Sequence, residues 1–156
     1  MAPLAREILD FWFGPLPHSP RGEWFRKDAA FDATIRARFG VAIESAMGGG
    51  FREWHSEARG ALARVLLLDQ FTRNAFRDTP RAFAGDFEAL STAIEIVDAG
   101  LDRTLDRYER SFLYLPFEHS ESLADQERCV ALFRATGDTE SLKWAVLHAD
   151  IIRKFG

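Results

Sequence analysis

A chain of 156 residues is the length of one compact domain, and a hydrophobic fraction of 47% with 14 Phe and 4 Trp supplies material for its core. The formal net charge is −4 and the 20 basic residues are scattered rather than clustered, which argues against nucleic acid as a partner. Arg6 and Glu7 interrupt the first turns and no long apolar run or small-residue cleavage site follows, so neither a signal peptide nor a membrane span is expected.

Apolar residues recur with helical period along nearly the whole chain, and no stretch alternates strictly between turn pairs, which predicts an all-α fold. Pro3 opens a first helix with Leu4, Ile8 and Phe11 on one face, and Gly14-Pro15-Leu16-Pro17 stops it. Asp28 begins a second, with Phe31, Ile35, Phe39, Ile43 and Met47 as its stripe, ended by Gly48-Gly49-Gly50. After a short piece from Phe51 to His55, Ser56 is placed to cap a long third helix running to about Asp78. Thr79 and Pro80 start a helix of about five turns, with Asp86 near its centre and Gly100 as its C-terminal stop. A helix around Asp106 to Leu115 meets Pro116, and another starts at Ser120 or Ser122 and stops at Gly137.

That helix carries the lone cysteine in Cys129-Val-Ala-Leu-Phe, a small buried hydrophobe by context, and a reducing, cytoplasmic setting fits it. Thr139 caps the last helix, which places Trp144, His148, Ile151 and Phe155 on one face in apolar surroundings. Short connections make successive helices antiparallel, so the expected architecture is stacked helix pairs in one helical domain over residues 1–156.

The junction between Val65-Leu-Leu-Leu68 and the polar residues after it carries the strongest functional signal. Four consecutive apolar residues point every way round a helix, so that helix is enclosed, and its next turns then bring Asp69, Gln70, Arg73, Asn74 and Arg77 into the enclosure. These five fall within one arc of roughly 140° on a helical wheel, as the wall of a pocket would. The same spacing also allows Asp69–Arg73 and Gln70–Asn74 pairs on an exposed helix end. Asp86 lies on an apolar half-cylinder and needs a partner, with Arg73 or Arg77 nearest; a structural ion pair and a functional carboxylate are both consistent with it.

A third intrusion follows Phe112-Leu-Tyr-Leu-Pro116-Phe, where Glu118, His119, Ser120 and Glu121 arrive together. A histidine beside carboxylates has the ingredients for acid–base chemistry, while the serines also suit a helix cap. No His-Glu-x-x-His spacing, no Gly-x-Ser-x-Gly elbow and no phosphate loop is present, so neither a metal nor a cofactor is expected. His18 and His55 lie beside loop residues and carry no distinguishing signal.

Ile8-Leu-Asp-Phe-Trp-Phe-Gly14, Trp24-Phe25, Leu67-Leu-Asp-Gln-Phe-Thr-Arg-Asn74, Phe76-Arg77 and Phe112-Leu-Tyr-Leu-Pro-Phe-Glu-His-Ser-Glu121 together closely resemble the domain-of-unknown-function 924 family. The resemblance spans nearly the whole chain and implies a tetratricopeptide-repeat-like superhelix with no established activity. Carried over by position, it marks Asp69, Gln70, Arg73, Asn74, Arg77, Asp86, Glu118, His119, Ser120, Glu121, Gln126 and His148. It also implies a basic, histidine-containing continuation beyond the equivalent of Phe155-Gly156, and if that stretch contributes a site residue, the site is incomplete without it.

The expected function is a binding module that grips a peptide or small anionic ligand through Asp69, Gln70, Arg73, Asn74, Arg77, Asp86, Ser120, Gln126 and His148. The alternatives are an enzyme with hydrolase-type acid–base chemistry, pairing His119 with Glu118 or Glu121, and a buried polar network that only fixes helix register.

Overall fold

The computed structural model describes residues 1–156 and contains helices and turns with no strand. The first helix, α1 (Pro3–Phe13), buries Ile8, Leu9, Trp12 and Phe13, and ends at Gly14, whose φ of 73° suits a residue without a side chain. A 3₁₀ turn at Gly22–Trp24 precedes α2 (Ala29–Met47), where the Asp28 carboxylate caps the helix by accepting from Ala30 N and Phe31 N.

The third predicted helix is a continuous rod of three segments: α3 (Ala58–Val65), a π-helical stretch at Leu66–Phe71, and α4 (Thr72–Ala75). Ser56 does not cap it, because that residue closes a 3₁₀ turn at Arg52–Ser56 and the extended Glu57 precedes α3 without a side-chain cap. The rod ends at Ala75, short of Asp78, which adopts a positive φ of 66°. Every residue from Gly60 to Asp69 is buried, and the rod packs against α1 and α2 as well as against the later α5 (Asp86–Asp98) and α6 (Arg107–Glu118).

The predicted five-turn helix after Pro80 divides into a 3₁₀ turn at Pro80–Phe83 and α5. The break brings Gly85 against the rod: a Cβ there would lie 2.2 Å from the Leu68 carbonyl oxygen, so only glycine permits the approach. Asp86 consequently stands at the start of α5, not at the middle of an apolar face.

Proline does not end the next helix either, since α6 runs through Pro116 to Glu118. Pro116 lacks a backbone N–H, but buried Phe112, Leu113 and Phe117 hold the helix on course, and His119 N closes its end on Leu115 O at 2.9 Å. Ser122 caps α7 (Leu123–Thr136), Gly137 ends it at φ 74°, and Asp138 rather than Thr139 caps α8 (Thr139–Phe155) by accepting from Ser141 N. α5, α6, α7 and α8 pack each on the next.

The last helix turns Ala145 and Ala149 inward, so Trp144, His148, Ile151 and Phe155 lie exposed instead of in the apolar surroundings expected. No helix is long and apolar enough to cross a membrane.

Candidate functional site

The π-helical stretch is the structural origin of the polar junction. A π turn widens the ring of backbone hydrogen bonds and unsettles nearby carbonyls, and such turns concentrate at functional sites. Side-chain donors reach two carbonyls here: the Thr72 hydroxyl donates to Leu68 O at 2.9 Å and Asp69 O at 3.2 Å, and Arg73 Nη1 donates to Asp69 O at 2.6 Å.

Two carboxylates hold the arginines in place. Arg73 makes a two-pronged bond to Asp86, with Nη1 on Oδ1 at 2.8 Å and Nη2 on Oδ2 at 3.0 Å, across the contact that Gly85 permits. Arg77 donates from Nε to Asp32 Oδ2 at 2.7 Å and from Nη2 to Asp32 Oδ1 at 3.2 Å. Asn74 Nδ2 joins Asp32 Oδ1 at 2.8 Å. Burial pushes the Asp32 carboxyl up, but these hydrogen bonds and the charges of Arg77 and Arg36 outweigh it and hold the group below the usual carboxylate range. The Asp32 hydrogen bond conversely raises Arg77, so the guanidinium stays charged.

Arg73, Asn74, Arg77 and Gln70 line a cavity of about 270 Å³ whose other walls come from α1 and the segment before α2. Arg26 and Lys27 add two further cations, against one carboxylate, Glu23. Trp12 and Trp24 stack at a centroid distance of 6.4 Å and contribute its aromatic surface. The Trp12 side chain is 1% exposed, and its Nε1 is buried with no hydrogen-bond partner, an unusual state for an indole N–H. Arg73 and Arg77 also line a neighbouring cavity of about 630 Å³ with Thr79 and Phe83.

Asp69 links this wall to a second cluster. Its carboxylate is fully buried, accepting from Gln70 Nε2 at 2.7 Å on Oδ2 and bonding His119 Nδ1 at 2.7 Å through Oδ1, with Arg73 Nη1 3.4 Å from Oδ1. Burial raises the Asp69 carboxyl, yet the His119 charge and hydrogen bond, with Arg73 and Gln70, bring it below the usual range. The imidazole is therefore oriented by Asp69, not by Glu118 or Glu121 as the sequence suggests.

The unbroken course of α6 explains the difference. Glu118 turns inward, where burial raises its carboxyl, partly offset by His148 and His119 and reinforced by Asp69; Glu121 lies exposed beyond the helix end. Cys129 beside Glu118 is fully buried, and its thiol is pushed far up by burial and by that carboxyl.

The remaining candidates divide. Asp86 stands behind Arg73. Ser120 donates to Asp125 Oδ2 at 2.6 Å and accepts from Ser122 N at 3.1 Å, so it shapes the α6–α7 turn. Gln126 Nε2 donates to Glu118 O and Ser120 O, both at 2.6 Å, fastening the end of α6 to α7. Neither these residues nor His119 or His148 line the two cavities.

Asp32, Trp12, Arg26 and Lys27 belong to the arrangement and escape the sequence reading; Asp32 in particular looks there like a first-turn acid of α2. His18, Asp106 and Glu109 could also approach a cation, but their oxygens are engaged. Asp106 Oδ2 bonds His18 Nδ1, Asp106 and Glu109 form a reciprocal capping box, and Glu109 Oε2 accepts from Arg59.

Fold and geometry together define an all-α protein with a cationic, aromatic-walled cavity beside a π-helical turn. The chain belongs to the family described as bacterial protein of unknown function (DUF924), whose model matches residues 8–156. It is similar to the solved structure of a protein of unknown function from Agrobacterium tumefaciens, with 40% sequence identity and a TM-score of 0.89, over 98% of this chain and 84% of that one. No curated protein matches it.

Proposed function

We propose that the protein binds a small anionic ligand in the cavity lined by Gln70, Arg73, Asn74 and Arg77. The observation that carries this reading is the charge of the lining, four cations against one carboxylate, in a cavity also walled by Trp12. Asp32 and Asp86 pre-set the two guanidinium planes, which lowers the ordering cost of binding. A volume of about 270 Å³ favours a small anion over a peptide. The reading retains one helical domain with a tetratricopeptide-repeat-like stacking, supported by the successive packing of α5 to α8.

The test is thermal unfolding with inorganic phosphate, sulfate or citrate at low ionic strength. A ligand at about 100 times its Kd stabilises by about 2.7 kcal/mol, a shift of roughly 5–10 °C for a chain of this length. The double variant Arg26→Ala/Lys27→Ala should fold normally, because both side chains are exposed and make only peripheral ion pairs with Asp28 and Asp78. It should weaken anion binding about tenfold. No shift with any anion, or equal shifts in both proteins, would remove the proposal.

A second reading, acid–base catalysis by His119, is favoured by one observation: Nδ1 is held by fully buried Asp69, leaving Nε2 for a proton. It fails if a hydrolase substrate screen finds no turnover, or turnover that His119→Asn does not diminish.

A further inference from the structure

A third cavity, of about 460 Å³, adjoins the cationic cavity of about 270 Å³ and differs from it in chemistry. Trp24, Phe25, Tyr108, Phe112 and Trp144 supply its aromatic lining. Trp24 stands among these rings, 4.9 Å from Phe112 and 6.1 Å from Tyr108 between centroids, while its Nε1 donates to Trp12 O at 3.0 Å. Trp24 and Phe25 line both cavities.

Two of the aromatics are conspicuously exposed, Phe25 at 76% and Trp144 at 53%. Two large rings open to water beside an aromatic-walled hollow leave apolar surface that a flat ligand would cover. The polar groups of this hollow do not call for a charged occupant. Arg107 pairs with Asp138 at 3.3 Å, and Asp138 also caps α8 through Ser141 N, which leaves Glu140 as the one unengaged acid among the lining residues. The net positive lining lies across the shared Trp24–Phe25 wall.

We infer that the two cavities are halves of one site, and that its ligand is an aromatic anion: a flat ring system seated among Trp24, Tyr108 and Trp144, carrying a phosphate or carboxylate that reaches Arg73 and Arg77 past Phe25. The inference rests on the anion-binding reading above and names the class of ligand.

Titration of the intact protein with four probes decides it: 1-naphthyl phosphate, 1-naphthoate, uncharged 1-naphthol and inorganic phosphate, followed by tryptophan fluorescence and calorimetry. One or both naphthyl anions should bind at least about tenfold more tightly than inorganic phosphate, and the preferred one identifies the head group. Trp144→Ala should erase that gain and leave inorganic phosphate binding unchanged, and Phe25→Ala should reduce it. Arg26→Ala/Lys27→Ala should weaken the naphthyl anions and inorganic phosphate alike.

Inorganic phosphate binding with no gain from the ring would overturn the inference while the anion-binding reading stands. Naphthol binding as tightly as the naphthyl anions, insensitive to the double variant, would overturn it by making the aromatic hollow a separate site. Binding of none of the four would overturn both.

Discussion

Arg64 and Arg73 lie on the same rod, with Arg77 in the turn just beyond it, and all three are backed by carboxylates, yet they meet opposite ends. Arg64 is fully buried, and protein acceptors surround its guanidinium: Gly50 O and Thr92 Oγ1 at 2.8 Å, Glu88 Oε2 at 3.2 Å, and His55 Nε2 at 3.4 Å. Arg73 and Arg77 are fixed by Asp86 and Asp32 but still face cavities. The first arrangement ties α3 to α5 and the turn after α2; the second leaves two guanidinium groups bordering open space. A buried charge therefore marks a candidate site only when part of its surface stays unenclosed.

Breaking the enclosed case should have the largest effect. Arg64→Ala removes a fully buried side chain and the donor to Gly50 O and Thr92 Oγ1, at a cost of about 3 kcal/mol in chemical denaturation. If the contrast holds, the fraction that remains folded binds anions with unchanged affinity, as calorimetry corrected for folded protein would read.

Asp32→Ala strips Arg77 and Asn74 of their shared anchor and should cost about 3 kcal/mol, and here anion affinity should fall as well, because the guanidinium plane is released. Since the folded-state Asp32 carboxyl lies below its usual range, its stabilisation is present above that range and lost as the pH falls through the folded-state value. The gap in midpoint between wild type and Asp32→Ala should accordingly narrow in strong acid.

Gly85→Ala tests what joins the two regions. Its Cβ would sit 2.2 Å from Leu68 O, pushing α5 off the π turn at a cost of about 2 kcal/mol and loosening the Arg73–Asp86 contact. Circular dichroism melts and the anion titration would report the two effects separately.

The smallest effect has the opposite sign. Glu118 is raised by burial, so its contribution is full below the ordinary carboxylate range and is lost as the pH rises through the folded-state value. His119, His148 and Asp69 face it, and the histidines offset only part of the burial penalty. Glu118→Gln, neutral at every pH, should melt higher than wild type at pH 7 and converge with it below about pH 4.

Several of these groups are legible in the sequence because they follow local periodicity. Asp69 and Arg73 are four residues apart and meet, and Arg73 finds Asp86 as the need for a buried counter-ion implies. Asp28, Gly14 and Gly137 mark helix ends because capping chemistry acts within a few residues. Two of the departures share a cause. Pro116 and the long Pro80 helix are cases where local preference yields to packing: α6 keeps its course because its rings are buried, and α5 starts late because Gly85 must touch Leu68. The π turn has no local signature, since its carbonyls are satisfied by side chains that the turn itself brings into reach.

Asp32 was hidden for a related reason: 45 residues separate it from Arg77, and nothing in a first-turn acid of α2 announces a buried partner so distant in the chain. His148 shows the converse, a residue on a helical stripe whose face turned out to be the outer one.

By itself the sequence determined the all-α class, the main helical stretches and the polar segment from Asp69 to Arg77, because helical periodicity and capping are short-range properties. Only the tertiary structure decided that Asp69 orients His119, that Asp32 and Asp86 set the arginines, and that Trp12 and Trp24 wall the cavity. Those relations depend on which faces remain open once several helices have competed to bury the same rod, and that competition is settled in space, not along the chain.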